Sequence, residues 1–450
     1  RYKLYLLIKH NNQNKGVIMI DKQRALMMFS ALFLVFFIAC EDDDHDDHDH
    51  DHDDVTALQT PSEYVFNSRF SEGESSVSYS GQVVRNLLVN DIKTQCGTDA
   101  GSGNPATLLS MMANDNADQA ILAADGLTTV QTKYHDISTS HLNDRLDAVS
   151  DYTIPGYEAN AGTLLNGWLN ELAASGKTRA NGVRLDQMIQ KTLWGAVAYW
   201  QGTSKYMSKI PDDDNSVSDD GDPYTAMEHH WDESFGYFGA ARDYNTGYTD
   251  DDDRKSGPYN DSNGDGSIDF KSEFNSGWAV TAAKRDLCSG CDVNHDFTKT
   301  IFDAYLEGRT LIYNQAPLDE ILVQRDLILN EWEKVVAAVS IHYVNDVAAD
   351  IAAIITAADT TAAPMSDATA DYENHWGEMR AYAHGLLYND FKVISDDNLN
   401  RILGVMGTAP VYPENGDFTA MQDYHDALVG EVRAIFKASY GFSDANVANW

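Results

Sequence analysis

Cysteine and basic residues are both scarce in this 450-residue chain, and each shortage excludes a class of protein. Four cysteines are too few for the disulfide framework that holds small secreted domains together. Against 32 Lys and Arg residues stand 70 Asp and Glu residues, so the formal net charge is −38. A surface this negative repels nucleic-acid phosphates and attracts cations. We therefore expect metal ions as partners and no nucleic acid.

The N-terminal apolar run Ala25–Ala39 is shorter than the about 20 residues that a transmembrane helix needs. Basic residues precede this run and Cys40 follows it, which predicts a signal peptide over 1–40 with Met19 as the true start. The tetrapeptide Phe-Ile-Ala-Cys that ends at Cys40 resembles a lipobox. We expect lipidation at Cys40 and an outer-membrane lipoprotein of the cell envelope. Whether it faces the periplasm or the cell surface stays open.

Only Glu, Asp and His occur in the segment Glu41–Asp54. Such a segment has nothing to bury, so residues 41–60 are predicted to form a disordered tether. Imidazoles among carboxylates are typical of weak sites for Zn²⁺, Ni²⁺ or Cu²⁺. The alternative is a plain solvated spacer. The histidines concerned are His45, His48, His50 and His52.

Helical periodicity dominates the remainder of the chain, residues 61–450, and convincing alternating strands are scarce. The pattern predicts an all-α fold of duplicated antiparallel helical bundles. Two repeat units are predicted at about 161–245 and 317–391, with an acidic insertion at about 246–296 between them. Predicted helices cover 162–174, 185–207, 224–244, 318–352, 369–391 and 421–440.

The pattern His-Trp-x-Glu-x-x-x-Tyr occurs twice, once in each predicted repeat unit. On a helix, the His, Glu and Tyr of each copy lie within an arc of about 60°, while the Trp points elsewhere. An imidazole and a carboxylate spaced in this way build metal sites inside helical bundles. The predicted transition-metal ligands are His230, Glu233 and Tyr237 in the first copy and His375, Glu378 and Tyr382 in the second. The alternative is a buried hydrogen-bond network without a ligand.

These motifs resemble two families of envelope proteins. His-x-x-Glu in a duplicated helical lipoprotein is similar to the imelysin family of iron-uptake proteins, although the preceding Gly of that family is Glu228 and Glu373 here. A closer resemblance is to domain-of-unknown-function family 4856, on the motifs at Ser75–Gln82, Trp231–Ala240 and Asp265–Asp269. The resemblance implies an envelope location and a helical fold, and it implies no established activity.

The segment Asp261–Asp269 matches the first nine positions of a calcium-binding loop, Asp-x-Asn-x-Asp-Gly-x-Ile-Asp. The twelfth position is Ser272, and the expected acid follows one residue later. Extracellular calcium would fill even a weak site, so we predict a structural Ca²⁺ ion. The predicted ligands are Asp261, Asn263, Asp265, the Ser267 carbonyl, Asp269 and Glu273.

Cys288 and Cys291 form a Cys-x-x-Cys pair, and no second such pair exists. In an oxidising compartment this spacing predicts a local disulfide more than a redox site. Cys96 is left over and is expected to be buried. The following Asp292–Asp296 is a shortened Asp-x-Asn-x-Asp pattern without the glycine of a calcium loop.

Together these features predict an exported, membrane-anchored, non-enzymatic protein that captures or hands on a transition metal, iron or zinc. The alternative is an interaction scaffold that docks to an outer-membrane transporter or a glycan. A peptidase of the imelysin type is the least favoured interpretation, because the chain has no His-Glu-x-x-His zinc motif and no evident Ser/His/Asp arrangement.

Overall fold

The computed structural model describes residues 57–257 and 259–450. Over these ranges the chain forms helices, turns and isolated β-bridges, with no strand longer than a bridge. The predicted all-α fold is confirmed. Residues 57–450 form one compact unit.

The first half of the unit is built from short helices that lead to the first motif. Helix α5, Leu185–Leu193, continues through two π-helical segments, Trp194–Tyr199 and Gln201–Lys205. The α-helices are α1 Ser80–Asp99, α2 Ala106–Ala113, α3 Asn143–Asp147, α4 Ala161–Ser175, α5 Leu185–Leu193 and α6 Ala226–Phe238. Short 3₁₀ turns lie at Leu122–Ala124 and Tyr134–Asp136.

The second half is organised around one long helix. The α-helices are α7 Asp251–Ser256, α8 Gly277–Asp286, α9 Phe297–Tyr313, α10 Leu318–Ala357, α11 Ala370–Gly385, α12 Asp396–Met406, α13 Thr419–Ala427, α14 Arg433–Tyr440 and α15 Asp444–Asn449. Leu428–Val432 is a π-helical link, and Asp367–Thr369 and Leu386–Tyr388 are 3₁₀ turns.

Helix α10 lies at the centre of this half and packs against both α9 and α11. Its length and composition are those of a membrane span, yet half of its apolar stretch is buried inside the protein. Trp332, Val336, Ile341 and Val344 are among its fully buried side chains. Burial of such side chains is worth roughly 1.5–3 kcal/mol each, so α10 is a core helix that orders its neighbours.

The structure differs from the sequence predictions in the end of the helix that carries the first motif and in the place of the acidic insertion. The helix predicted over 224–244 ends at Phe238, because Gly239 adopts a left-handed backbone with φ 85°. The predicted acidic insertion is also part of the core, since it contributes α8 with the buried Trp278. The indole of Trp278 donates a 3.2 Å hydrogen bond to the Trp194 carbonyl. The acidic residues of this segment lie in its surface loops, and their number made helix α8 hard to recognise in the sequence.

Candidate functional site

The first motif lies on α6, which begins with a capping box. The Thr225 hydroxyl accepts a hydrogen bond from the Glu228 amide at 3.2 Å, and the Glu228 carboxylate accepts one from the Thr225 amide at 2.9 Å. Glu228 also pairs with the fully buried Arg309 at 3.0 Å. The glutamate at the position of the imelysin glycine therefore starts and anchors the helix.

Trp231 points away from the motif's polar stripe, as predicted, and is fully buried. Its indole donates to the Tyr305 carbonyl on α9 at 3.0 Å. A side chain at Gly308 would come within 2.1 Å of this indole, so the close approach of α6 and α9 requires glycine there. Asp232, one residue on, pairs with Arg309 at 3.0 Å. These contacts fix the rotation of α6.

His230 lies between an acid and a base. Its Nδ1 is 2.7 Å from the Asp213 carboxylate, and its Nε2 is 2.9 Å from the Lys209 ammonium. The imidazole also stacks on Tyr206, with ring centroids 5.9 Å apart. An ammonium beside Nε2 makes this nitrogen the acceptor, so Asp213 accepts the proton on Nδ1. Both ring nitrogens of His230 are thus occupied.

Glu233 and Tyr237 face the start of α1. Gln82 donates to Glu233 at 2.8 Å, and Arg85 donates to the Tyr237 hydroxyl at 3.3 Å. Tyr237 is fully buried, and its burial raises the pKa of the phenol. Lys205 stands close by with its ammonium 5.0 Å from the ring of Tyr206. Burial lowers the pKa of Lys205 to about 8.

The second motif lies on α11, where His375 has a different surrounding. Its Nδ1 is 2.8 Å from the Asp350 carboxylate of α10. This hydrogen bond raises the pKa of His375 above its ordinary value. Among the described residues, no side chain hydrogen-bonds to its Nε2. The second imidazole therefore keeps one ring nitrogen for a further ligand.

Glu378, the acid of the second motif, has several polar partners. It accepts hydrogen bonds from the Tyr343 hydroxyl at 3.0 Å and from Asn374 at 3.1 Å, and it lies 3.4 Å from the Lys191 ammonium. Tyr382 stacks on Tyr343 with a centroid distance of 5.7 Å. Lys191 also lies 5.6 Å from the centre of the Tyr382 ring.

Both motifs thus use partners on the preceding segment that sequence reasoning missed. A tyrosine, Tyr206 or Tyr343, stacks on the motif tyrosine of its own copy, at 6.1 Å and 5.7 Å. Further along the chain, at the same distance from each tyrosine, lies an aspartate, Asp213 in the first copy and Asp350 in the second. Its carboxylate hydrogen-bonds to Nδ1 of the motif histidine. The shared Tyr-x₆-Asp spacing was a usable signal, but the loops between it and the two motifs differ in length.

Counted from these tyrosines, two of the positions that differ between the copies carry side chains that bear on metal binding. Next to Tyr206 stands Lys205, and one turn later Lys209; next to Tyr343 stands His342, and one turn later Asp346. His342 Nε2 is 3.3 Å from the Asp346 carboxylate. Burial, chiefly, lowers the pKa of His342 to about 3, so this imidazole is neutral. At these two positions the first copy has two ammonium groups, whereas the second has an imidazole and a carboxylate.

The two copies of the motif form separate polar centres. His230 and His375 have no common hydrogen-bond partner among the described residues. An aromatic layer containing Trp332 and Trp278 connects Phe238, beside the first motif, to Tyr382 in the second. Over residues 57–257 and 259–450, no group of three or more His, Cys, Asp or Glu side chains is arranged to hold a metal ion. Any ion at either copy requires side chains to turn toward it.

The predicted calcium loop is closed by its own acids. Asp261 accepts hydrogen bonds from the amides of Gly264 at 2.7 Å and Gly266 at 2.9 Å. Glu273, only 1% exposed, accepts from the amides of Ser262 at 3.0 Å and Asp269 at 2.8 Å. Asn263 and Asp265 likewise accept from loop amides. The shifted acid Glu273 therefore reaches the loop, and these side-chain oxygens are taken up by the loop's own amides.

Ile268 anchors this loop through backbone hydrogen bonds. Its amide donates to the Thr128 carbonyl at 2.9 Å, and its carbonyl accepts from Val130 at 3.0 Å. Asp269 accepts from Gln131 at 2.8 Å. Ser267, the predicted carbonyl ligand, precedes this anchor. The loop is thus joined to the segment 128–131.

Cys288 and Cys291 form a disulfide, with Cα atoms 5.6 Å apart, and Cys96 is a buried free cysteine. Asp296, from the shortened Asp-x-Asn-x-Asp pattern, caps α9 by accepting from the Lys299 amide at 3.1 Å. Asp292 instead accepts a hydrogen bond from Ser443. The acids of this pattern are therefore used in structural contacts.

The signal peptide, the lipidation site Cys40 and the tether histidines lie outside the described residues. They remain predictions.

Fold and site together define an all-α protein that carries two similar buried polar centres. The chain belongs to a family defined by a domain of unknown function (DUF4856), whose model matches residues 61–369. The predicted family membership is confirmed, and the matched range includes the first motif and ends before the second. No curated protein and no solved structure matches the chain.

Proposed function

We propose that this protein is an exported, membrane-anchored lipoprotein that captures a transition metal, iron or zinc, in the cell envelope, and that the second motif binds the ion. The observation that carries the proposal is the state of His375. Its Nδ1 is held by Asp350 at 2.8 Å, and its Nε2 has no partner among the described residues. A carboxylate on the far nitrogen is the usual outer-sphere support of a metal-binding histidine.

The donors around His375 suit such an ion. His342, Asp346 and Asp350 recur every four residues on α10, and Glu378 follows one turn after His375 on α11. Imidazole and carboxylate ligands together suit Fe and Zn. His375 pairs with Asp350, and Glu378 accepts hydrogen bonds from Tyr343 and Asn374, so metal binding would exchange some of these bonds for metal–ligand bonds.

The first motif is less suited to a metal ion. Lys209 places its ammonium 2.9 Å from His230 Nε2, where a metal would bind, and Lys205 adds a second positive charge nearby. Repulsion between these ammonium groups and a divalent cation disfavours binding. We propose that Lys209 acts as a built-in cation that keeps this copy folded without a metal.

Two further parts of the proposal concern regions away from the motifs. A lipid on Cys40 and the tether 41–60 would hold the folded unit at the membrane, and the tether histidines would concentrate metal near it. A Ca²⁺ ion at Asp261–Asp269 would have a structural role; the match to the calcium-loop pattern and the contact of Glu273 with the loop support this part.

The matched substitutions His375→Ala and His230→Ala test the proposal. Both are expected to leave the protein folded, since each histidine is partly exposed. Protein purified without an affinity tag, with residues 41–54 removed in all samples, is analysed for bound Fe and Zn. We expect His375→Ala to lose the metal and His230→Ala to retain it. Equal metal content in the two variants and the parent protein would exclude the second motif.

A second candidate function, an interaction scaffold, is favoured by an exposed apolar patch. Val323 is 62% exposed and Val393 is 51% exposed, with Phe391 beside them. The Arg325 guanidinium lies 5.5 Å from the centre of the Phe391 ring, which brings the two segments together. A photo-crosslinker at Val323 would capture an outer-membrane transporter in cells if this patch docks there; a crosslinker at Val217, exposed on the loop before α6, is the control.

A further inference from the structure

Basic side chains gather beside the first motif, although the whole chain has 70 acidic residues against 32 basic ones. The Arg85 guanidinium donates to the Tyr237 hydroxyl at 3.3 Å and pairs with Asp144 at 3.2 Å. Arg145, on α3, lies 3.6 Å from the same oxygen of Asp144. The two guanidinium groups are therefore neighbours, and one carboxylate serves both.

Two ammonium groups lie against the same tyrosines. Lys205 and Lys209 are 5.0 Å and 6.0 Å from the centre of the Tyr206 ring. Tyr206 stacks on Tyr237, the tyrosine that Arg85 contacts, with ring centroids 6.1 Å apart. Helix α3 also packs against the first π-helical segment, which precedes these lysines. We refer to the four side chains as the basic cluster: Arg85, Arg145, Lys205 and Lys209.

The donors of the basic cluster are not all used inside the protein. Among the described residues, the Lys205 ammonium has no hydrogen bond and no carboxylate within 4 Å. The Lys209 ammonium contacts His230 at 2.9 Å and forms no salt bridge in the same part of the chain. Nε of Arg145 is buried without a hydrogen-bond partner. All three basic residues are half-buried, so a ligand can reach them from solvent.

The basic cluster also carries more positive charge than the nearby carboxylates neutralise. Four cations face three carboxylates, which leaves one positive charge. The carboxylates are Asp144, Asp213 and Glu233. At 0.1 M salt, charges more than about 10 Å away are largely screened, so the acidic remainder of the chain does not cancel this local excess. The charge at the first motif therefore favours an anion.

We infer that the first motif carries an anion site, at which Lys205, Lys209 and Arg145 bind a phosphate group. A phosphate has oxygens on all sides of one atom, so it can accept from donors on separate segments, whereas a carboxylate offers two oxygens in one plane. Most of the remaining donors belong to lysines, which bind phosphate as point charges. The second motif has His342 and Asp346 in place of the two lysines, so it lacks this site. The inference does not rest on metal binding at the second motif.

Calorimetric titration of the full chain with phosphate tests the inference, with chloride and acetate compared at equal ionic strength. We expect phosphate to bind, and Lys205→Gln to weaken its affinity about tenfold through the loss of one charge-assisted hydrogen bond. Lys205→Arg keeps a charged donor and should retain binding. Arg145→Met, on a different helix, should weaken binding as well, so the result does not depend on one variant. Lys299→Gln, at an exposed lysine outside the basic cluster, is the control.

Each result decides one part of the inference. Phosphate that binds no better than chloride overturns it and leaves the proposed metal capture standing. Equal phosphate affinity in Lys205→Gln, Arg145→Met and the parent protein contradicts the assignment to the first motif. Loss of phosphate binding in His375→Ala contradicts it too, because the phosphate would then depend on the second motif. Acetate that binds as tightly as phosphate overturns the assignment to a phosphate group.

Glycerol 3-phosphate distinguishes the two sources of such a group. Binding as tight as that of free phosphate, and equally weakened by Lys205→Gln, supports a phosphate ester as the ligand. Weaker binding of the ester supports inorganic phosphate.

Discussion

The two copies of the His-Trp-x-Glu-x-x-x-Tyr motif have similar partners for their histidine and tyrosine, but they differ in the charged side chain beside the histidine. In each, an aspartate holds the histidine at Nδ1, at 2.7 Å in the first copy and 2.8 Å in the second. In each, a tyrosine from the preceding segment stacks on the motif tyrosine. The first copy has Lys209 at the free side of its histidine, whereas the second has Asp346 at the corresponding position.

This difference shows how one scaffold can hold either a fixed or an exchangeable cation. The Lys209 ammonium hydrogen-bonds to the His230 imidazole, and it cannot dissociate because it is part of the chain. Replacing lysine by aspartate and histidine removes that charge and leaves donors that an external cation can use. On our proposal, the second copy is the metal-binding member of the pair.

The largest expected effect concerns the anchor of the first copy. Arg309→Ala leaves the buried Asp232 without its counter-ion and leaves Glu228 paired with Arg69 alone, so it should cost about 3–5 kcal/mol in the free energy of unfolding. The second copy has no such triad, because Gly377 replaces the aspartate and Glu373 accepts neutral hydrogen bonds. Urea denaturation measures the difference.

Glu373→Gln is the matched change in the second copy. The amide oxygen of glutamine can still accept from the Met365 amide and the Tyr412 hydroxyl, so a cost of about 1 kcal/mol is expected. Costs of similar size for Arg309→Ala and Glu373→Gln would show that the two anchors do not differ as described.

A smaller effect is expected from exchanging the two positions that distinguish the copies. The double substitution Lys205→His and Lys209→Asp gives the first copy the donors of the second, so it should bind an additional Zn²⁺ ion per chain with an affinity of its own. Calorimetric titration counts the sites. An unchanged count would mean that these two positions do not decide metal binding; Lys205→Gln with Lys209→Gln, which removes charge without adding donors, is the control.

The smallest effect is a shift in pH dependence. A metal needs His375 unprotonated at Nε2, and the Asp350 hydrogen bond raises the pKa of His375 above 6.5. Metal retention should therefore fall as pH drops through this raised pKa. Asp350→Asn should move the midpoint of metal loss to lower pH, because it removes the largest cause of the raised His375 pKa.

Asp213→Asn is the matched control and should leave that midpoint unchanged. In the metal-free protein the sign is reversed: the His375–Asp350 pair stabilises the fold below the unfolded pKa, and this contribution is lost as pH rises through the folded pKa. A midpoint that Asp350→Asn does not move would indicate that another group controls metal release.

Local pattern alone determined several features of this protein. Helical periodicity predicted the all-α fold, and the repeated motif placed its Trp residues correctly, since Trp231 and Trp376 are both fully buried. The Cys-x-x-Cys spacing predicted the disulfide between Cys288 and Cys291. Each of these follows from residues close together in the chain, where helix geometry or loop length limits the outcome.

Tertiary structure decided which side chains meet. Asp213 and Asp350 share the Tyr-x₆-Asp spacing, but they reach their histidines across loops of different length, so the sequence did not show that each would meet a motif histidine. The duplicated motif is visible in the chain, but the asymmetry between its two copies arises from neighbours that only folding brings together.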